Sequence, residues 1–151
     1  MTGVQTCALP ILGRRPLLLI DGAHNVAGMT ALGAALTEEF TVDGETIAVV
    51  GMLTGRDPLA MLGALKNAGV SIVVACQPDS PRAMPASDVA DAAQALGMTS
   101  FVDRAVTDAL ALARGLVDTD GLVVVAGSLY VVGAARGEIL SGAVRWEDAG
   151  S

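Results

Sequence analysis

Residues that commonly build metal centres and disulfide frameworks are scarce in this sequence. Its 151 residues include one histidine, His24, and two cysteines, Cys7 and Cys76. One imidazole excludes a site built from several histidines, and two distant cysteines form neither a zinc motif nor a disulfide framework. We therefore predict no metal site on this chain's own side chains and a reducing, cytoplasmic location.

Positive charge, aromatic residues and long apolar runs are scarce as well. Lys and Arg number 9 against 16 Asp and Glu, and the resulting net charge of −7 argues against nucleic acid as a partner. No apolar run approaches the roughly 20 residues that cross a bilayer, so no membrane association is predicted. Aromatic residues make up 3% of the chain and hydrophobic residues 52%. The core of one domain must therefore come from aliphatic side chains and methionine.

Three common motifs for phosphate binding and hydrolysis are also missing. The sequence has no Gly-x-x-x-x-Gly-Lys-Ser/Thr phosphate loop and no Gly-x-Gly-x-x-Gly after a strand. It also has no Gly-x-Ser-x-Gly nucleophile elbow. The chain therefore cannot hold a triphosphate or a dinucleotide in the usual glycine-rich cradle.

Strand-like and helix-like apolar patterns alternate along the chain. Short aliphatic runs indicate strands buried on both faces, and apolar residues spaced by three and four indicate helices. No two-residue hairpin turn joins two long strands. The alternation predicts an α/β fold: a single three-layer Rossmann-like domain with a mostly parallel sheet covered by helices. The predicted strands are 17–20, 46–50, 70–76, 99–102 and 122–126, and the predicted helices are 25–40, 58–68, 87–96, 104–116 and 129–136.

Two local predictions refine this outline. Asp103 and the pair Ser87-Asp88 are predicted to begin helices, because Ser and Asp side chains accept hydrogen bonds from the first free amides of a helix. Leu59 is predicted to face the core as part of the apolar stripe of its helix.

The two ends of the chain lack these patterns. Residues 1–11 fit no element and resemble a translated adapter sequence, so they are predicted to be a non-native leader. The domain itself is predicted to span 12–140. The tail, 141–151, is expected to fray after Ile139, with Trp146 either packing back or contacting a partner.

Polar residues and glycines follow three of the predicted strands. They are Asp21, Gly22, His24 and Asn25 after the first strand, Gly51 and the loop to Asp57 after the second, and Gly127 with Ser128 after the last. Carboxyl ends of parallel strands share one edge of the sheet, where α/β proteins bind ligands, although the strand order is open. An acid there can accept hydrogen bonds from ribose, an imidazole can donate to an anion, and a Gly-Ser pair offers amides and a hydroxyl. The simpler interpretation is that these side chains only cap the helices that follow.

Three motifs in the right order resemble one protein family. They are Leu-Leu-Ile-Asp-Gly-Ala-His-Asn at 18–25, Val-Gly-Met-Leu at 50–53 with Arg56-Asp57, and Ala-Gly-Ser-Leu-Tyr-Val-Val-Gly at 126–133. Together they resemble the carboxy-terminal domain of the folylpolyglutamate synthase and dihydrofolate synthase family, relatives of the Mur ligases. The resemblance covers about 12–140.

The resemblance implies an ATP-dependent ligase that joins L-glutamate to a carboxylate of folate or dihydropteroate through an acyl phosphate. In the family, a larger amino-terminal domain holds most of the ATP and Mg²⁺ contacts. The resemblance implies that Asp21 contacts the ATP ribose, Asn25 lies near the phosphates, and His24 is catalytic near the phosphates or the incoming glutamate. It implies that Ser128 contacts the glutamate carboxylates and that Asp57 lines the cleft between the domains.

Departures from the family pattern lead to a further expectation. Val26 replaces a proline, Gly55 and Arg56 replace an acid and a lysine, and the Pro-Gly-Arg segment expected before the first strand is absent, with Arg14 and Arg15 too close to that strand to replace it. The chain is therefore predicted to be a fragment that lacks its amino-terminal partner domain, has no ligase activity alone, and self-associates through the exposed cleft face. The alternatives are a stand-alone Rossmann-type nucleotide- or metabolite-binding module without catalysis and a structural domain of a homo-oligomer.

Overall fold

Six strands and five helices alternate along the chain in the computed structural model, which describes residues 11–147 and 149. The strands are β1 (Ile11–Gly13), β2 (Leu17–Ile20), β3 (Thr46–Val50), β4 (Val70–Ala75), β5 (Thr99–Val102) and β6 (Leu122–Ala126). The helices are α1 (Val26–Glu39), α2 (Pro58–Asn67), α3 (Ala86–Ala95), α4 (Val106–Leu116) and α5 (Leu129–Leu140). Within this described part no helix combines the length and apolarity needed to cross a membrane.

The strands form one sheet in the order β1-β2-β6-β3-β4-β5. All neighbouring pairs are parallel except β1 with β2, which is antiparallel. The predicted α/β fold with a mostly parallel sheet is therefore confirmed. The strand order also settles an open question, because the three strands that precede the candidate residues, β2, β6 and β3, are direct neighbours.

Alternating residues of the strands feed two separate apolar cores. One face packs against α1, α2 and α3 through residues such as Leu19, Val50 and Val73, and the other against α4 and α5 through residues such as Leu18, Val49 and Val74. Both faces of the sheet are buried at β2, β3 and β6, which explains why these strands are nearly continuous aliphatic runs instead of alternating apolar and polar residues.

Several local predictions were wrong. Asp103 does not cap α4, because its amide continues the sheet by donating to the Ala75 carbonyl at 2.9 Å, and the helix starts after Ala105. Likewise α3 begins at Ala86, one residue before the predicted pair Ser87-Asp88, and its N-cap residue is Pro85, which has no side-chain acceptor. Leu59, predicted to face the core, is 50% exposed. Its position in the first turn of α2 carries it beyond the end of the sheet.

Strand β1 was not predicted, and Ile11, which was assigned to the leader, begins it. Three residues are too few to show a period in the sequence, and β1 is held by pairing with β2. The rest of the predicted leader, residues 1–10 with Cys7, lies outside the described residues.

The tail packs back onto the domain, so the expected fraying after Ile139 was wrong and one of the two alternatives for Trp146 is confirmed. The Trp146 indole is 7% exposed, and its Nε1–H donates to the Pro16 carbonyl at 2.7 Å. The Arg114 guanidinium lies 5.4 Å from the ring centroid, a cation–π geometry. The Arg14 amide donates to the Glu147 carbonyl at 2.9 Å. Trp146 therefore fastens the tail to the turn between β1 and β2.

We expect Trp146→Ala to lower the free energy of unfolding by about 3–5 kcal/mol, because it removes a buried aromatic side chain and leaves a cavity. Trp146→Phe keeps much of the packing but leaves the Pro16 carbonyl without its donor, and should cost about 1–3 kcal/mol. Urea denaturation measures both values. A Trp146→Ala variant as stable as the parent would contradict the described position of the tail.

A second prediction concerns Gly127, which follows β6 with φ +107°. A Cβ there would collide with the carbonyl oxygen of Gly51, and the backbone conformation itself is unfavourable for other residues. We expect Gly127→Ala to lower the free energy of unfolding by at least about 2 kcal/mol. The matched control is Gly133→Ala within α5, where nothing lies within 4 Å of the added methyl; it should stabilise by about 0.5–1 kcal/mol. Equal stabilities of the two variants would refute the account of Gly127.

Candidate functional site

The candidate site lies at the carboxyl edge of the sheet, where β2, β6 and β3 end side by side. The Asp21 amide donates to the Val125 carbonyl at 3.0 Å, and the Gly127 amide donates to the Ala23 carbonyl at 2.8 Å. These bonds extend the pairing of β2 and β6 into the loops beyond them. The polar residues that follow β2 and β6 are thereby brought to one place.

Two glycines allow the loops to approach closely there. Gly127 lies against the carbonyl of Gly51 at the end of β3, and a Cβ on Gly51 would lie 2.8 Å from a methyl of Val131 and 3.0 Å from the Cys76 carbonyl. A side chain at Gly127 would push the ends of β6 and β3 apart, and one at Gly51 would collide with α5 and with the residue that follows β4. The glycines noted in the sequence therefore serve backbone packing that keeps the site together.

Asp21 and His24 are held by short turns after β2. One Asp21 carboxylate oxygen accepts a hydrogen bond from the Ala23 amide at 2.8 Å, which leaves capacity for further donors because a carboxylate has about four acceptor positions. The His24 Nδ1 lies 2.9 Å from the Gly22 carbonyl. A carbonyl only accepts, so Nδ1 carries the hydrogen and the exposed ring has Nε2 left for a ligand.

The other three predicted residues all cap helices that start at this edge. Asn25 accepts from the Gly28 amide at 2.7 Å, Asp57 from the Ala60 amide at 3.1 Å, and Ser128 from the Tyr130 amide at 3.1 Å. Each of these side chains therefore caps a helix, as the simpler structural interpretation expects. Capping uses only one oxygen, so the Asn25 amide group and the Ser128 hydroxyl hydrogen remain as donors. Three helix N-termini, with their positive ends, point toward the same edge.

A small pocket joins part of this set. Its volume is about 210 Å³, and its lining comprises His24, Leu53, Arg56, Gly127, Ser128, Leu129 and Tyr130. It is below the roughly 300–1,000 Å³ of sites that enclose a whole ligand. It combines an imidazole, a guanidinium and a buried hydroxyl, the groups that bind a carboxylate or phosphate.

Only some of the predicted residues line this pocket. His24 and Ser128 line it, Asp21 and Asn25 lie on the neighbouring turn, and Asp57 is not among its lining residues. Its neighbour Arg56 is there instead, although the sequence marked Arg56 only as a departure from the family pattern. The loop that carries Arg56 is held by the Thr54 amide, which donates to the Arg82 carbonyl at 2.7 Å.

The edge is bordered by exposed apolar side chains, which we call the apolar rim. Its members are Val26 at 42% exposure, Leu59 at 50%, Leu129 at 66% and Tyr130 at 56%, each in the first turn of a helix. The sequence does not distinguish Val26 and Leu59 from core residues, because they stand three positions before the buried Met29 and Leu62 on the same helical stripe. Only the end of the sheet beneath them shows that they are exposed.

Arg14 and Arg15 are excluded from the site by their position. They form the turn between β1 and β2, next to Gly121, at the opposite, amino edge of the sheet. They therefore cannot take the place of the Pro-Gly-Arg segment, which agrees with the prediction from the sequence.

Cys76 and metal binding complete the description of this edge. Burial and the nearby Asp103 carboxylate raise the pKa of the Cys76 thiol to about 12, so the sulfur is protonated and unreactive at neutral pH. Among residues 11–147 and 149, no three His, Cys, Asp or Glu side chains cluster in a way that could hold a metal ion.

The chain is similar in sequence to folylpolyglutamate synthases. It is 37% identical over 127 residues to a probable bifunctional folylpolyglutamate synthase/dihydropteroate synthase of Halobacterium salinarum, covering 83% of this chain and 15% of that protein. It is 34% identical over 130 residues to the folylpolyglutamate synthase of Lacticaseibacillus casei, covering 84% of this chain and 28% of that protein. The chain thus spans less than a third of the length of either relative.

A solved structure shares the fold. Mycobacterium tuberculosis folylpolyglutamate synthase, complexed with ADP and AMPPCP, aligns with a TM-score of 0.74 and 30% identity over 83% of this chain and 31% of that one. The sequence pattern of the family described as "Mur ligase, glutamate ligase domain" matches residues 10–129. The resemblance drawn from the three motifs is confirmed: this chain belongs to the Mur ligase glutamate ligase domain family.

Proposed function

We propose that this chain is the carboxy-terminal domain of an ATP-dependent ligase that joins L-glutamate to a folate or dihydropteroate. The observation that carries the proposal is the carboxyl edge, where His24, Arg56 and Ser128 share one pocket beside Asp21. Relatives of this chain are folylpolyglutamate synthases, and one structure of such an enzyme holds ADP and AMPPCP.

The reaction has two steps, and the pocket residues His24, Arg56 and Ser128 serve the second. A substrate carboxylate takes the γ-phosphoryl group of ATP and becomes an acyl phosphate, with ADP as the leaving group. The neutral amine of glutamate then attacks the acyl carbon, the amide bond forms as the bond to phosphate breaks and phosphate leaves, and the attacking nitrogen gives up one of its two protons. Arg56 and Ser128 bind the glutamate carboxylates through charge-assisted hydrogen bonds. His24, with Nδ1–H engaged by Gly22, uses Nε2 to receive a proton from the amine.

The nucleotide fits this edge only in part. Asp21 sits at the end of a parallel strand, partly exposed and with free acceptor capacity, where a carboxylate can bind ribose hydroxyls. Asn25 contributes its amide group nearby. A pocket of about 210 Å³ cannot enclose ATP, and the described residues offer no set of acids for Mg²⁺. The chain therefore supplies one side of the nucleotide site, and a partner domain supplies the phosphate loop and the metal ligands.

The apolar rim is the surface that meets this partner domain. Its four large side chains are exposed, and two of them, Leu129 and Tyr130, line the pocket; an exposed apolar surface contiguous with a site marks a contact surface. Asp57, outside the pocket but on the same edge, lies where it would line the cleft between the two domains.

We expect the purified chain to bind ATP and ADP weakly and to bind NAD no better. Asp21→Ala should weaken adenine-nucleotide binding at least tenfold, about 1.4 kcal/mol, because the ribose contact is lost. Asp21→Asn keeps the oxygen that accepts from Ala23 but removes the charge, which separates ligand binding from the turn. Asp43→Ala, on an exposed turn at the opposite edge of the sheet, is the matched control and should change nothing. Isothermal titration calorimetry measures each affinity, and tight NAD binding would favour a stand-alone dinucleotide module.

We also expect no ligase activity from the chain alone, because it has neither a phosphate loop nor a cluster of metal-binding acids in its described part. The assay measures ADP release that requires both a folate and L-glutamate. Release that depends on both substrates and disappears in His24→Ala would show that the chain is a complete enzyme and would contradict the proposal.

A further inference from the structure

The free edge of strand β5 has the features of a pairing surface. β5 is the last strand of the sheet, beside β4 only, and Phe101 and Val102 are 36% and 48% exposed. Exposed sheet edges normally carry a proline, a lysine or a bulge that blocks pairing with another chain. The residues of β5, Thr-Ser-Phe-Val, include none of these. The opposite edge differs, since β1 has three residues and its following turn bonds to the tail.

The register of β5 defines which backbone groups are free. The Asp103 amide donates to the Ala75 carbonyl. The odd-numbered residues of this strand therefore direct their backbone N–H and C=O groups toward β4. Because the pattern alternates, Ser100 and Val102 direct their N–H and C=O groups away from the sheet.

The two faces of β5 are also different. Phe101 pairs with Val74, whose side chain belongs to the core beneath α4 and α5, whereas Ser100 pairs with Val73 in the other core. α3 covers the Ser100 face of β5, while α4 packs over β3 and β4. Ser100 is partly covered in this way, whereas Thr99 and Phe101 on one face and Val102 on the other are exposed at the edge.

We propose that β5 pairs with β5 of a second copy of this chain, antiparallel and about a two-fold axis that passes Phe101. In this register Ser100 of each copy exchanges two backbone hydrogen bonds with Val102 of the other, which satisfies all the outward groups of both strands. The two Phe101 rings meet at the axis as a non-hydrogen-bonded pair. Thr99 of each copy lies opposite Asp103 of the other, a hydroxyl donor opposite a carboxylate acceptor. The strand is thus complementary to its own copy.

We expect this dimer to be weak. Pairing two short strands buries less than the roughly 1,200–2,000 Å² of a stable interface, and each copy carries a net charge of −7. We expect half of the chains to be dimeric at a total chain concentration on the order of 100 μM. Added salt should shift the equilibrium toward the dimer, because it screens the repulsion between the two acidic copies.

Sedimentation velocity over about 5–500 μM chain tests the proposal. Phe101→Lys and Phe101→Glu should each be monomeric, because like charges meet at the axis, and an equimolar mixture should regain the dimer. Leu129→Lys, in the apolar rim, is the matched control and should dimerise like the parent. A parent chain that stays monomeric throughout, or a dimer that Leu129→Lys abolishes and Phe101→Lys retains, would overturn the proposal.

A cysteine pair keeps the test independent of the charged variants. In a Cys7→Ser background, Phe101→Cys should form a disulfide-linked dimer on mild oxidation, because Cα atoms of a non-hydrogen-bonded pair lie about 4.5 Å apart. Val102→Cys is the control, since it lies opposite Ser100 of the other copy and about 7–8 Å from its own counterpart, too far for a disulfide. Equal cross-linking of the two variants would refute this register.

Discussion

The contact between the loops that follow β6 and β3 is the constraint on which the site depends. Gly127 donates its amide to Ala23 and lies against the Gly51 carbonyl, so three strand ends converge without any intervening side chain. That contact sets the position of Ser128 and thereby the start of α5. It also aligns the turn of Asp21 and His24 with the Arg56 loop. Backbone packing therefore positions the polar side chains of this edge, and the two glycines make that packing possible.

Much of the fold could be predicted because the information is local. Four of the five parallel strands, β2, β3, β4 and β6, are largely aliphatic and buried, and the helices between them carry an apolar stripe, so class and element order follow from periodicity. The residues of the site were found for a related reason. Asp21, His24 and Ser128 stand directly after strands, and the carboxyl ends of parallel strands converge whatever the order of the strands. Their chemical roles come from the family resemblance, and the geometry alone does not assign them.

What the sequence could not provide depends on contacts between distant segments. The order of the strands, and hence the adjacency of β2, β6 and β3, is set by the packing of the whole sheet. Trp146 is buried because a turn 130 residues earlier offers the Pro16 carbonyl, and no pattern in the tail indicates this. Leu59 has the period of a core residue but lies past the end of the sheet. Asp103 has the chemistry of a cap, yet its amide is used by the neighbouring strand.

The direction of β1 determines how this domain connects to whatever adjoins it. Ile11 pairs with Leu19, close to the carboxyl end of β2, and the strand runs from there toward the amino edge. The polypeptide therefore enters the domain on the side of the pocket. It leaves on the other side, where Glu147 bonds to Arg14. A domain that precedes this one reaches the pocket without a long linker, whereas a domain that follows it would start from the far side of the sheet.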